Sequence, residues 1–87
     1  MLKYKFTISD PIGLHARPAT KLVAVATRFE SKIELVVGEK KANVKSVMNL
    51  MALGAKTGAV VELVVDGEDE ALAFESLKQA IAENKLG

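Results

Sequence analysis

The chain has 87 residues, 49% apolar and 26% charged, with a net charge of +1; this composition suits one small domain over 1–87 and argues against disorder. It has no cysteine and a single histidine, which excludes a disulfide framework, a thiolate zinc site and a histidine-rich metal site. No apolar run approaches the ~20 residues that cross a bilayer, and Met1-Leu2-Lys3-Tyr4-Lys5 lacks the apolar core of a secretion signal, so we expect a cytoplasmic protein with no membrane insertion.

From Leu2 to Ile8 apolar residues alternate with Lys3, Lys5 and Thr7, the pattern of a half-buried strand. Asp10-Pro11-Ile12-Gly13 reads as a loop. From Ala16 to about Phe29, the positions Ala19, Leu22, Val23, Ala26 and Phe29 recur at helical spacing and mark a face that packs on a sheet. Ile33, Leu35 and Val37 alternate again, Gly38-Glu39 supplies a turn, and Lys40 to Val44 returns as an antiparallel partner. Ser46 to Leu53 is a short helix closed by Gly54, and a strand follows from Val60 to Val65. After Asp66-Gly67 comes a long helix, with Glu68, Asp69 and Glu70 suited to its start and Lys85 to its end. Its expected apolar stripe is Leu72, Phe74, Leu77, Ala80 and Ile81. The order β-α-β-β-α-β-α fits an α+β fold, an open-faced sandwich with a four-stranded antiparallel sheet and three helices on one face.

The single histidine, His15, stands where the loop hands over to the first helix. Its unperturbed pKa of about 6.5 leaves a largely neutral ring nitrogen near neutral pH, which is a nucleophile. If His15 caps the helix, the amides of Ala16 and Arg17 lack intrahelical acceptors, and Pro18 fits the same turn because its missing N–H costs nothing there. Free donors and the positive end of the helix dipole favour an anion, to which Arg17 adds a fixed charge. The arrangement suits binding and accepting phosphate. On this chemistry alone a surface or capping role for His15 is the commoner explanation, and Gly13 serves equally as a turn residue of positive φ.

Gly13-Leu14-His15-Ala16-Arg17-Pro18-Ala19 resembles the active-site signature of the HPr family, the histidine-containing phosphocarriers of the bacterial phosphoenolpyruvate–sugar phosphotransferase system. A second block, Lys45-Ser46-Val47-Met48-Asn49-Leu50-Met51-Ala52-Leu53-Gly54, resembles the segment carrying a regulatory serine in members from low-GC Gram-positive bacteria. A third, weaker match runs from Gly67 through Glu70. The resemblance implies the same four-stranded, three-helix architecture and no cofactor. It implies a carrier rather than an enzyme, in which His15, through Nδ1, accepts a phosphoryl group from phosphorylated enzyme I. The group then passes to a sugar-specific enzyme IIA. Arg17 and the amides of Ala16 and Arg17 would hold the phosphoryl oxygens, with Pro18 and Gly13 shaping the loop. Regulation would run through phosphorylation of Ser46, which on chemistry alone is a favoured helix N-cap. The implied regulatory partners are an HPr kinase/phosphorylase and a catabolite-control transcription regulator. Thr20, Val47, Met48 and Met51 are the candidate partner-binding positions, with Leu50 and Leu53 facing inward; core packing is the equal alternative for the apolar ones. Asn49 stands where the Gram-positive motif usually has glycine, and weakens the carry-over of the transcription-regulator contact.

Charge is unevenly spread. Residues 1–50 carry nine Lys and Arg against four Asp and Glu, residues 51–87 three against seven. The basic half contains both motifs and favours acidic protein partners by steering. Nucleic acid is not expected, because surface aromatics are not interleaved with these modest charges. Two rivals stand beside the carrier: a regulatory signalling protein of the same fold, and a small-ligand-binding domain with a ferredoxin-like arrangement.

Overall fold

The computed structural model describes residues 1–87. Strand β1 (Leu2–Thr7) leads to helix α1 (Ala16–Ala26), then to strands β2 (Lys32–Val37) and β3 (Lys40–Asn43), helix α2 (Val47–Leu53), strand β4 (Val60–Asp66) and helix α3 (Glu70–Glu83). The four strands form one sheet in the order β1-β4-β2-β3, and every neighbouring pair is antiparallel. Leu35 lies opposite both Ala42 of β3 and Leu63 of β4, and Phe6 lies opposite Val61. This register puts Phe6, Ile33, Leu35, Ala42, Val61, Leu63 and Val65 on one buried face.

The helices cover that face. Ala19, Leu22 and Ala26 of α1, Leu50 and Leu53 of α2, and Ala73, Leu77, Ala80 and Ile81 of α3 join the same hydrophobic cluster as the strand residues. The architecture is the open-faced α+β sandwich that the alternation and helical spacing predict.

Strands β1, β3 and β4 end within one residue of expectation, and two helix details differ by more. Helix α1 stops at Ala26 instead of Phe29 because its last turn tightens, with Arg28 N–H donating to Val25 O and Phe29 N–H to Ala26 O, both three residues back. Phe29 still packs against the core from this turn. In α3, Leu72 is 66% exposed and Ala73 takes the inward position. The buried stripe is therefore 73, 77, 80 and 81, and Phe74 lies at its edge.

The end of α1 is tied to the start of α3 by one carboxylate. Asp69 accepts hydrogen bonds from the Ser31 hydroxyl, from Ser31 N–H at 3.0 Å and from Glu30 N–H at 2.9 Å. These donors, led by the Ser31 hydroxyl and then the Glu30 amide, hold its pKa below the ordinary aspartate value. A folded-state pKa below the unfolded one contributes stability above the unfolded value, about 3.9, that is lost as pH falls through the folded value. Melting temperatures measured from pH 6 to pH 2 should therefore show a drop below about pH 4 that Asp69→Asn makes shallower.

Candidate functional site

The first motif is held by a loop stapled to the segment before β4. Beyond β1, Ile8 N–H donates to Ala59 O and Gly58 N–H donates back to Ile8 O, both at 2.9 Å. Asp10 then turns the chain: its Oδ1 accepts from Ile12 N–H at 2.8 Å and Gly13 N–H at 3.2 Å, an Asx turn. Its carbonyl accepts from the Thr57 hydroxyl at 2.5 Å. Leu14 is buried and its N–H bonds to Ala55 O at 2.8 Å. Between them Gly13 has φ +90°, and a Cβ there would sit 2.6 Å from Ala55 O and 2.8 Å from Lys56 Cα. Only glycine fits both the dihedral and the contact.

His15 follows as the N-cap of α1, in extended conformation with φ −110° and ψ −173°, and its side chain makes no capping bond. The first intrahelical bond runs from Ala19 N–H to His15 O at 3.0 Å. The amides of Ala16 and Arg17 therefore have no intrahelical acceptor, and Pro18, buried in the same turn, has no N–H to leave unpaired. The ring is about one-third exposed (32%), with Nε2 3.8 Å from Asp10 Oδ1. Arg17 is exposed. It lines one open cleft of about 540 Å³ with Asp10, His15, Pro18, Asn84 and Lys85.

Asn84 and Lys85 reach this cleft because α3 ends in a Schellman turn. Leu86 N–H donates to Ile81 O at 3.0 Å and Lys85 N–H to Ala82 O at 3.1 Å. Lys85 occupies the left-handed position, φ +53°, that glycine usually fills. Leu86 is fully buried and its carbonyl accepts from Ser9 N–H at 2.8 Å, locking the turn beside the loop. Sequence reasoning gave Lys85 only a place at a helix end and Asp10 only a place in a loop. A turn signal at Asp10 was visible, but nothing in the linear pattern puts either beside His15.

Ser46, half-buried, caps α2, its Oγ accepting from Asn49 N–H at 3.2 Å and from the Asn49 side-chain amide at 3.1 Å. On α2, Met48 is 82% exposed and Met51 48%, whereas Leu50 and Leu53 are buried. Val47 is half-buried against the core, so it belongs only partly to the exposed patch. Thr20 is exposed one turn into α1, its hydroxyl donating to Ala16 O at 2.7 Å.

The family described as the PTS HPr component phosphorylation site matches residues 2–83. The phosphocarrier protein HPr of Lysinibacillus sphaericus is 49% identical over 86 residues, covering 99% of this chain and 98% of that protein. The chain belongs to the HPr family. The HPr of Mycoplasma capricolum is 41% identical over 86 residues, covering 99% of this chain and 97% of that protein. The solved structure of a Mycoplasma histidine-containing phosphocarrier protein superposes with a TM-score of 0.96 at 40% identity, over 98% of this chain and 97% of that one. Crh, a catabolite-repression protein of Bacillus subtilis, gives 0.75 at 41% identity over the full length of both chains. In this HPr chain the tight approach at Gly13 fixes the loop ahead of His15. Gly13→Ala should lower stability by at least about 1–2 kcal/mol, the strain of a left-handed non-glycine residue, and should shift the His15 ring resonances, as checked by thermal unfolding and NMR.

Proposed function

We propose that this protein carries phosphoryl groups on His15 between phosphorylated enzyme I and sugar-specific enzyme IIA proteins in the cytoplasm. The observation that carries the reading is the position of His15: a partly exposed imidazole at a helix N-cap, followed by two amides without intrahelical acceptors. Nε2 is turned towards Asp10, which leaves Nδ1 as the attacking nitrogen. Its lone pair bonds to phosphorus as the donor's bond to phosphorus breaks, and the phosphoryl oxygens meet the Ala16 and Arg17 amides. The helix terminus contributes about 0.3–1 kcal/mol at an exposed site and up to ~2 kcal/mol when partly buried. Arg17 supplies the mobile positive charge; no acidic side chain pairs with it in the free protein. Pro18 and Gly13 shape the approach. The task is positioning and charge stabilisation.

Met48 and Met51, with the edge of Val47, form the apolar part of the docking face, and exposed Thr20 on α1 is a further contact position. Flexible thioethers suit a surface that fits several partners. Ser46, beside this face, is the proposed regulatory position for an HPr kinase/phosphorylase, and its phosphorylated form would engage a catabolite-control regulator. A phosphate there adds roughly two negative charges and opposes encounter with an acidic enzyme I surface.

Intact-mass measurement after incubation with phosphoenolpyruvate and enzyme I should show one added phosphoryl group, labile in acid and stable in base. His15→Ala should remain unmodified. An unmodified wild type, with an enzyme I active on another HPr, would reduce His15 to a helix cap. Ser46→Asp should slow phosphorylation of His15 by enzyme I about tenfold, equivalent to ~1.4 kcal/mol, in a single-turnover assay, and unchanged rates would remove the regulatory role.

A further inference from the structure

The cleft at His15 holds a carboxylate whose negative charge the phosphocarrier reading does not use. Asp10 Oδ1 lies 3.8 Å from His15 Nε2, and the Asp10 side chain is only 18% exposed. Its direction is fixed, because the same oxygen accepts from Ile12 and Gly13 N–H and the residue's carbonyl accepts from Gly13 N–H at 3.1 Å and from Thr57. An asparagine would close this Asx turn equally well. The turn therefore explains the oxygen and leaves the negative charge unexplained.

We infer that Asp10 is a positioning residue for phosphoryl transfer: it holds the His15 ring with its proton on Nε2, presents the Nδ1 lone pair, and faces the positive charge the ring acquires. The inference rests on the phosphocarrier reading of His15. As Nδ1 forms its bond to phosphorus, the donor keeps the electron pair of the bond that breaks. The ring retains its Nε2 proton and becomes cationic. In onward transfer the acceptor's nucleophile bonds to phosphorus, the Nδ1–P electron pair returns to nitrogen, and the ring is neutral again. The Nε2 proton never has to leave, so no general acid or base is required.

The other charges of the cleft complete the arrangement. Arg17 and Lys85 are its cations and Asp10 its one anion. The dianionic phosphoryl group meets Arg17 and the helix amides on the Nδ1 side, while the cationic ring meets Asp10 on the Nε2 side. Positive and negative fields thus lie on opposite sides of one ring, each matched to the charge that develops there. A carboxylate that selects the tautomer and orientation of an imidazole without taking its proton is the role such a group plays in hydrolase triads.

The test is long-range 1H–15N NMR of the His15 ring in its neutral form, with single-turnover phosphorylation by phosphoenolpyruvate and enzyme I, on wild type and Asp10→Asn. The wild-type ring should be predominantly the Nε2–H tautomer. Asp10→Asn should lower the Nε2–H to Nδ1–H ratio about threefold, within the range of a charge interaction near the protein surface, while the Ile12 and Gly13 amide resonances stay in place. Its phosphorylation should slow several-fold with little change in the KM for enzyme I. A wild-type ring protonated mainly on Nδ1, or an Asp10→Asn variant with the wild-type tautomer ratio or rate, overturns the inference and leaves the carrier role standing. A wild type that accepts no phosphoryl group overturns both.

Discussion

The passage of the backbone at Gly13 over Ala55 and Lys56 is the contact on which the site depends. It lets Leu14 bury its side chain and bond to Ala55, so the next residue, His15, emerges at a fixed point as the N-cap of α1. A side chain at position 13 would push the loop off this segment. The helix would survive, since Ala19, Leu22 and Ala26 anchor it to the core, but its cap would no longer be aimed. Stability and the placing of His15 therefore meet at one glycine, through the same close approach.

From that fixed point the chemistry follows by proximity. Helix α1 contributes unpaired amides, the exit of β1 contributes Asp10, and the Schellman turn of α3 brings Lys85 from the opposite end of the chain. The left-handed conformation of Lys85 costs about 1–2 kcal/mol relative to glycine, and here it places a lysine at the rim of the cleft that holds His15 and Arg17. The second region, around Ser46, is built by local chemistry: the hydroxyl caps α2, and Asn49 adds a side-chain bond to it where a glycine could not.

Most of the fold was legible because its signals are local. Strict alternation in β1, β2 and β4 and the spacing of Ala19, Leu22 and Ala26 report burial through the periods of strand and helix. Phe29 misled as a helix end because a tightened last turn still delivers an apolar side chain to the core. Leu72 misled because hydrophobicity alone does not choose between adjacent positions, and the smaller Ala73 takes the buried one. That His15 caps α1, Arg17 lies in its first turn and Ser46 caps α2 was legible from the sequence. The places of Asp10 and Lys85 were not, since Asp10 is set beside His15 by its turn and the Thr57 bond, and Lys85 by a contact between residues 9 and 86.

The central claim is that the phosphoryl group sits on Nδ1 of His15, against the open amides of α1. The most direct measurement is an isotope-resolved NMR spectrum of the protein before and after phosphorylation by phosphoenolpyruvate and enzyme I. The account predicts phosphorus–nitrogen coupling to Nδ1 and the largest amide shifts at Ala16 and Arg17. Coupling to Nε2, or amide shifts centred away from the first turn of α1, would contradict it.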